Sequence, residues 1–181
     1  PDAEVKTFRD AGKLLKAASW QRAFTPYTLS TGKKTEYGYG WHIGTLQGTQ
    51  RIAHGGGIPG FSAHAMRLPQ EKVYVVVLAN NDRMPMSTEV VAARAAAIAI
   101  GKPFPELAAV AVTPAKLDEV AGAYQVDEKT LRTFTREGDK LFMQRGDRPK
   151  SEVVAYGADR FFMPNTLVHM EFVRDASGKV N

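Results

Sequence analysis

The chain has 181 residues, of which 44% are apolar and 24% charged, a composition that is ordinary for a folded globular protein and excludes disordered and fibrous classes. Its 24 basic and 19 acidic side chains give a net charge of +5, but they are interspersed along the sequence, so no nucleic-acid partner is predicted. The absence of cysteine excludes disulfides and thiolate metal sites, and no apolar run approaches the roughly 20 residues of a membrane-spanning helix.

The first predicted element is an amphipathic helix over residues 3–18, where apolar side chains recur at helical spacing and basic residues fill the other side. Breaker residues follow, and the pattern becomes strand-like from Tyr37. Short connections predict that the strands of this region are antiparallel neighbours. The predicted strands cover residues 37–43, 50–54, 61–68 and 73–79.

The last of these strands and the helix that follows it both predict extensive burial. Residues 73–79 form a continuous apolar run, which is typical of a central strand covered on both faces. Ser87 is the predicted N-cap of a helix that runs through residues 90–100 and ends before Gly101. The strand therefore predicts cover on each side of the sheet. Because the helix is apolar nearly all round, it is expected to pack against the sheet on one side and against other protein on the other.

Three prolines between residues 102 and 114 predict a linker, with a domain boundary near Val112. Beyond it, short strands separated by glycine-containing turns predict a meander. The predicted fold class is therefore α+β: an antiparallel sheet with flanking helices over residues 1–112, then a small all-β barrel-like domain over residues 113–181. The strands of the second domain are predicted at residues 124–126, 131–135, 140–144, 152–156, 160–163 and 168–173.

The stretch His54-Gly55-Gly56-Gly57-Ile58-Pro59-Gly60-Phe61 carries the strongest functional signal, because four glycines in seven positions let a backbone approach a ligand closely. A purely structural glycine-rich hairpin with an exposed histidine is the competing interpretation. Lipase-like α/β hydrolases also use an HGGG stretch, but they need a Gly-x-Ser-x-Gly nucleophile elbow as well. Gly60-Phe61-Ser62-Ala63-His64 lacks the second glycine, so that class is not predicted.

Five blocks in order over residues 5–102 resemble β-lactamase-related serine hydrolases, which include class C β-lactamases, penicillin-binding proteins, esterases and D-aminopeptidases. The resemblance implies a transpeptidase-like fold and acyl-enzyme chemistry on amide, β-lactam or ester substrates. The blocks are Tyr37-Gly38-Tyr39-Gly40-Trp41, His54-Gly55-Gly56, Pro59-Gly60-Phe61, Met66-Arg67-Leu68-Pro69 and Val75-Val76-Val77-Leu78-Ala79-Asn80-Asn81.

The resemblance also implies roles for the glycine stretch. In that family the strand beside the active site carries Lys-Thr-Gly or a variant that begins with histidine, and His54-Gly55-Gly56 matches the variant. His54 would position substrate and stabilise charge, and the backbone amide of Gly57 would donate to the oxyanion that forms during acyl transfer. His54, Gly55, Gly56 and Gly57 are therefore the candidate catalytic-site residues.

Two motifs that the resemblance requires are not found. The family's nucleophile is the serine of a Ser-x-x-Lys motif at a helix start, assisted by a Tyr-x-Asn motif, and no Tyr-x-Asn occurs here. Ser30-Thr31-Gly32-Lys33 matches by letters only, because it lies in a breaker-rich loop. We therefore expect a hydrolase fragment that is inactive alone and pairs with its missing half or with itself. A non-catalytic binding or assembly module is the alternative.

The remaining signals predict no cofactor and no metal, because His42, His64 and His169 lie in predicted strands without metal-site spacing. The second domain resembles the lipocalin-like barrels that follow such catalytic domains, through Val120-Ala121-Gly122-Ala123-Tyr124 and Phe172-Val173-Arg174-Asp175. By the family resemblance, export to the periplasm or secretion is expected. The sequence does not identify the substrate.

Overall fold

A computed structural model describes residues 14–128 and 130–180. The chain divides into two compact units, one ending at Phe104 and the other starting at Pro105. The sequence placed the boundary near Val112, and Val112 packs against the core of the second unit. Both units contain antiparallel sheets with few helices, so the predicted α+β class is confirmed.

The described part of the first unit contains a four-stranded antiparallel sheet and two helices. Its helices are α1 (Ala17–Ala23) and α2 (Thr88–Ala99), and its strands are β1 (His42–Leu46), β2 (Thr49–Ile58), β3 (Phe61–Leu68) and β4 (Val73–Ala79), in the order β1-β2-β3-β4. Helix α2 packs on β3 and β4. The hydroxyl of Ser87 accepts a hydrogen bond from the Val90 amide, so the predicted N-cap is confirmed.

One face of this sheet forms the core of the first unit. Side chains alternate between the two faces of a strand, and along β3 His64, Met66 and Leu68 are the buried set. Small residues of α2 cover them and allow the helix to approach the sheet closely. The buried residues of the helix are Thr88, Ala92, Ala93, Ala96 and Ala97.

Strand β4 was predicted to be central and covered on both faces, and this prediction is wrong for the described residues. The strand lies at the edge of the sheet, and Tyr74, Val76 and Leu78 are 50%, 46% and 77% exposed. A continuous apolar run shows only that both faces are apolar. It does not show what covers them.

Two predictions concern the start of the chain, and they have different outcomes. The predicted helix over residues 3–18 lies largely outside the described residues, and α1 begins at Ala17. The strand predicted over residues 37–43 is wrong for most of its length, because β1 begins only at His42. The reason is a local turn in which Gly40 has a φ of 78° and the Gly38 amide donates to the Trp41 carbonyl at 2.8 Å.

The second unit is the predicted meander, and over residues 105–128 and 130–180 it forms a six-stranded antiparallel sheet in which each strand pairs with its sequence neighbours. Its core combines Leu117 and Val120 with a group of aromatic rings centred on Phe161 and Phe172. The strands are β5 (Gly122–Asp127), β6 (Thr130–Glu137), β7 (Lys140–Arg145), β8 (Ser151–Ala155), β9 (Arg160–Phe162) and β10 (His169–Glu171).

The sequence missed helix α3 (Pro114–Val120), which precedes the meander. The signal was present, because Thr113 accepts a hydrogen bond from the Lys116 amide as N-cap and Pro114 occupies the first turn. Strands β5 and β10 lie at opposite edges of the described sheet, and its closure into a lipocalin-like barrel stays a prediction. Within residues 14–128 and 130–180, no helix is long and apolar enough to span a bilayer.

Candidate active-site strand

The glycine stretch is part of a strand. Strand β2 was predicted to end at His54, but it continues to Ile58 because β3 pairs with every one of its last residues. In this register Gly55 lies opposite His64, and Gly57 lies opposite Ser62. The three consecutive glycines are therefore held in extended backbone rather than in a loop.

One edge of β2 is open along the glycines. Strand β1 pairs with β2 only as far as Ala53, which lies opposite His42. From His54 to Ile58, β3 is the only strand paired with β2 in the described part of the chain. Backbone groups that point to the other side of β2 are available to a ligand.

The hairpin turn determines which amides point to that open edge. Ile58 and Phe61 flank the two-residue turn Pro59-Gly60, in which Gly60 has a φ of 84°. Hydrogen-bonded and non-hydrogen-bonded pairs alternate along an antiparallel ladder, and the pair that closes such a turn is hydrogen-bonded. Gly57, one step from the closing pair, therefore directs its amide away from β3 and towards the open edge.

A segment after β4 holds this turn in place. The Gly60 amide donates to the Asp82 carboxylate at 2.8 Å, and the Ser62 hydroxyl donates to the Asn81 carbonyl at 2.8 Å. Sequence reasoning missed this support. Its only signal was the polar sequence Asn80-Asn81-Asp82 directly after an apolar strand.

An open cavity of about 640 Å³ lies at the glycine end of the sheet. Its walls are mostly apolar, and Ile58, Phe61 and Leu78 are 67%, 55% and 77% exposed. The glycines of β2 carry no side chains, so the strand backbone itself forms one wall of the cavity. The lining residues are Gly56, Gly57, Ile58, Phe61, Ser62, Ala63, Leu78, Ala79 and Asn80.

His54, the first residue of the motif, is exposed and has two aromatic neighbours. Its Nε2 atom lies 3.1 Å from the hydroxyl of Tyr37. The ring of His42 is stacked 6.1 Å from that of His54, and Tyr37 meets the His42 ring edge-on at 4.7 Å. The Tyr37 hydroxyl therefore constrains the orientation of the His54 ring, a contact that the sequence did not reveal.

His64 lies on the core face of the sheet, directly opposite Gly55. Its side chain is 7% exposed, and its Nε2 atom has no hydrogen-bond partner among the described residues. Desolvation lowers the pKa of His64 below its ordinary value, because burial disfavours the charged imidazolium. Arg51, His54 and His42 lower the pKa further, while Glu89 opposes them.

The lowered pKa of His64 predicts that the first unit loses stability as the pH falls below about 6.5. Below this pH the histidine of the unfolded chain binds a proton more readily than His64 of the folded chain does. The free energy of unfolding therefore decreases as the pH falls, until the pH reaches the pKa of His64 in the folded chain. Urea unfolding between about pH 5 and 7, a range that includes the ordinary histidine pKa, measures how the free energy of unfolding changes with pH. We expect His64→Gln to flatten this pH dependence, because a glutamine side chain does not titrate. Parallel curves for wild type and His64→Gln would contradict the prediction.

The other candidates from the sequence lie on elements other than β2 and β3. Ser30 and Lys33 lie in an exposed turn in which the Gly32 amide donates to the Leu29 carbonyl at 2.9 Å. His169 lies on β10 in the second unit. Over residues 14–128 and 130–180, no group of three or more potential ligands is placed to hold a metal ion.

Comparison with known proteins identifies the class of this fold and site. A family model described as Beta-lactamase matches residues 7–100, which is more than half of the chain and includes the whole motif strand. The chain belongs to the beta-lactamase family, and the resemblance read from the sequence is confirmed to that extent.

Two curated relatives agree with this assignment. The chain is 27% identical over 162 residues to penicillin-binding protein 4* of Bacillus subtilis (strain 168), covering 86% of this chain and 36% of the relative. It is 29% identical over 85 residues to the D-aminopeptidase of Gluconobacter oxydans (strain 621H), covering 47% of this chain and 16% of the relative. The chain thus spans well under half the length of the curated relatives that it matches.

A solved structure shares the fold. The octameric penicillin-binding protein homologue from Pyrococcus abyssi matches 95% of this chain and 42% of its own length, with a TM-score of 0.51 and 18% sequence identity. At this level of identity the similarity concerns the fold alone.

Proposed function

We propose that this chain supplies the motif strand and oxyanion-hole edge of a serine hydrolase whose nucleophile lies in a separate upstream segment. The single observation that carries the proposal is the open edge of β2, to which Gly57 directs its amide beside an apolar cavity. An amide fixed in a sheet stabilises a developing oxyanion without reorganising during the reaction. His54, oriented by Tyr37, lies three residues from Gly57 and positions the substrate.

The proposed substrate class rests on the family and on the cavity. The names of the relatives indicate penicillin binding and removal of amino-terminal residues by a D-aminopeptidase. We propose that the hydrolase to which this chain contributes acts on amide, β-lactam or ester substrates. The apolar cavity walls favour substrates with an apolar group next to the scissile carbonyl.

The exposed apolar face of the sheet supports a requirement for more protein. Tyr74, Val76 and Leu78 are exposed on β4, which pairs only with β3 among the described residues, and apolar surface of this kind is normally covered in a working protein. We propose that the upstream catalytic segment covers it, and that copies of this chain self-associate when that segment is absent. The homologue from Pyrococcus abyssi is octameric, which is compatible with the proposed self-association.

Reconstitution tests the proposal. The purified chain is assayed with nitrocefin and a p-nitrophenyl ester, alone and mixed with the upstream segment from its source gene. We expect hydrolysis only in the mixture. The matched control is the same mixture with alanine in place of the Ser-x-x-Lys serine, which we expect to be inactive.

Two outcomes contradict the proposal in different ways. Hydrolysis by the chain alone means that it contains its own nucleophile, and loss of that activity on Ser30→Ala would identify it. If neither the chain nor the mixture hydrolyses either substrate, although both are shown to be folded, the alternative of a binding or assembly module is favoured.

A further inference from the structure

The glycine at position 55 is not explained by backbone conformation. None of the three motif glycines has a positive φ, so each could in principle hold a side chain. A Cβ atom at position 56 would meet nothing within 4 Å, and one at position 57 would lie 3.2 Å from the Phe61 carbonyl oxygen. At position 55 the corresponding distance is 2.7 Å, to Nδ1 of His64. This is closer than non-bonded atoms pack, so a side chain at position 55 requires either the His64 ring or the β2 backbone to shift.

His64 cannot easily make room. Nδ1 is bonded directly to the ring carbon nearest the backbone, and the ring is buried on the face of the sheet that α2 covers. Met66 and Leu68 fill the same face of β3, and both are completely buried. A shift of the ring would disturb this core, so the backbone of β2 would have to move instead.

We propose that His64 is a positioning residue. Its ring fills the space into which a side chain at position 55 would project, and it thereby fixes the path of the β2 backbone between His54 and Gly57. This inference rests on the proposed function, because the position of the β2 backbone affects catalysis only if β2 carries the oxyanion-hole amide. It also explains why this chain has glycine at the second motif position. A threonine there, as in Lys-Thr-Gly, would meet the His64 ring, so residues 55 and 64 form a coupled pair.

A double-mutant cycle on the 181-residue chain tests the proposal without any measurement of activity. Wild type, Gly55→Ala, His64→Ala and the double variant are compared by urea unfolding. We expect Gly55→Ala to lower the folding equilibrium constant by about ten- to a hundredfold, as overpacking does, and by less than about threefold when His64 is alanine. Gly56→Ala is the matched control for stability, because its Cβ has open space, and we expect about threefold or less in both backgrounds.

A spectroscopic readout separates positioning from simple stability. We expect Gly55→Ala to shift the NMR signals of the Gly57 amide and the His54 imidazole, and the added His64→Ala to return them towards wild type. Equal effects of Gly55→Ala in both backgrounds, or unmoved signals, would overturn the proposal. If Gly55→Ala alone does not fold, recovery of a folded spectrum in the double variant supports it, and failure to recover beside a folded His64→Ala variant overturns it. Failure of the reconstitution assay leaves these results unchanged and concerns the proposed function only.

Discussion

Replacing Gly57 by proline is expected to reduce kcat of the reconstituted hydrolase by about a hundredfold or more, the typical cost of losing one oxyanion-hole donor. Proline removes the backbone N–H, and it also adds a ring and restricts φ to about −65°. The Gly57 amide points to the unpaired edge of β2, so its loss breaks no ladder hydrogen bond to β3. Initial rates with nitrocefin and a p-nitrophenyl ester measure the effect.

Gly57→Ala is the matched control for this experiment. Alanine and proline both add a Cβ atom, which would lie 3.2 Å from the Phe61 carbonyl oxygen, but only proline removes the amide hydrogen. We expect the alanine variant to keep most of the activity. Equal losses in the two variants would mean that the added carbon is responsible, and the amide of Gly57 would then have no part in catalysis.

Replacing Phe161 by alanine is expected to lower the free energy of unfolding of the second unit by about 3–5 kcal/mol, the usual cost of truncating a buried phenylalanine. Phe161 is completely buried, and its ring meets that of Phe172 edge-on at 5.6 Å. The ring of Phe134 also packs on Phe172, at 4.9 Å. The truncation leaves a cavity at the centre of this aromatic group, and a rigid sheet on one side limits its collapse.

Urea unfolding followed by far-UV circular dichroism measures this loss. Val173→Ala is the control, because Val173 is 67% exposed and its truncation is expected to change stability by no more than about 0.5 kcal/mol. Similar midpoints for Phe161→Ala and wild type would show that the aromatic group does not hold the second unit together.

The sequence predicted strands well where local signals and pairing agree. Strands β3 and β4 have the predicted bounds, and the six strands of the meander occur where turns and apolar alternation placed them. Prediction failed where the local pattern and the pairing partner disagree. Glycines 55–57 have low strand propensity, yet they form strand because β3 lies alongside with complementary register.

The candidate site shows the same division. The motif His54-Gly55-Gly56-Gly57 and its family were accessible from residue order alone, because motif glycines and their spacing are local properties. The contacts of Tyr37 with His54, of Asp82 with the Gly60 amide and of His64 with position 55 were not accessible. Each joins residues well separated in the chain, and their partners carry no local signature.

By itself, therefore, the sequence determined the α+β class, the meander, the capped helix α2 and the family of the motif strand, because periodicity, turn residues and motif order are written along the chain. Only the tertiary structure decided that β4 lies at an edge, that the Gly57 amide points to an open side of β2, and that a buried histidine stands behind Gly55. Strand order, register and the volume around a side chain depend on which distant segments pack together, and a local pattern does not contain that information.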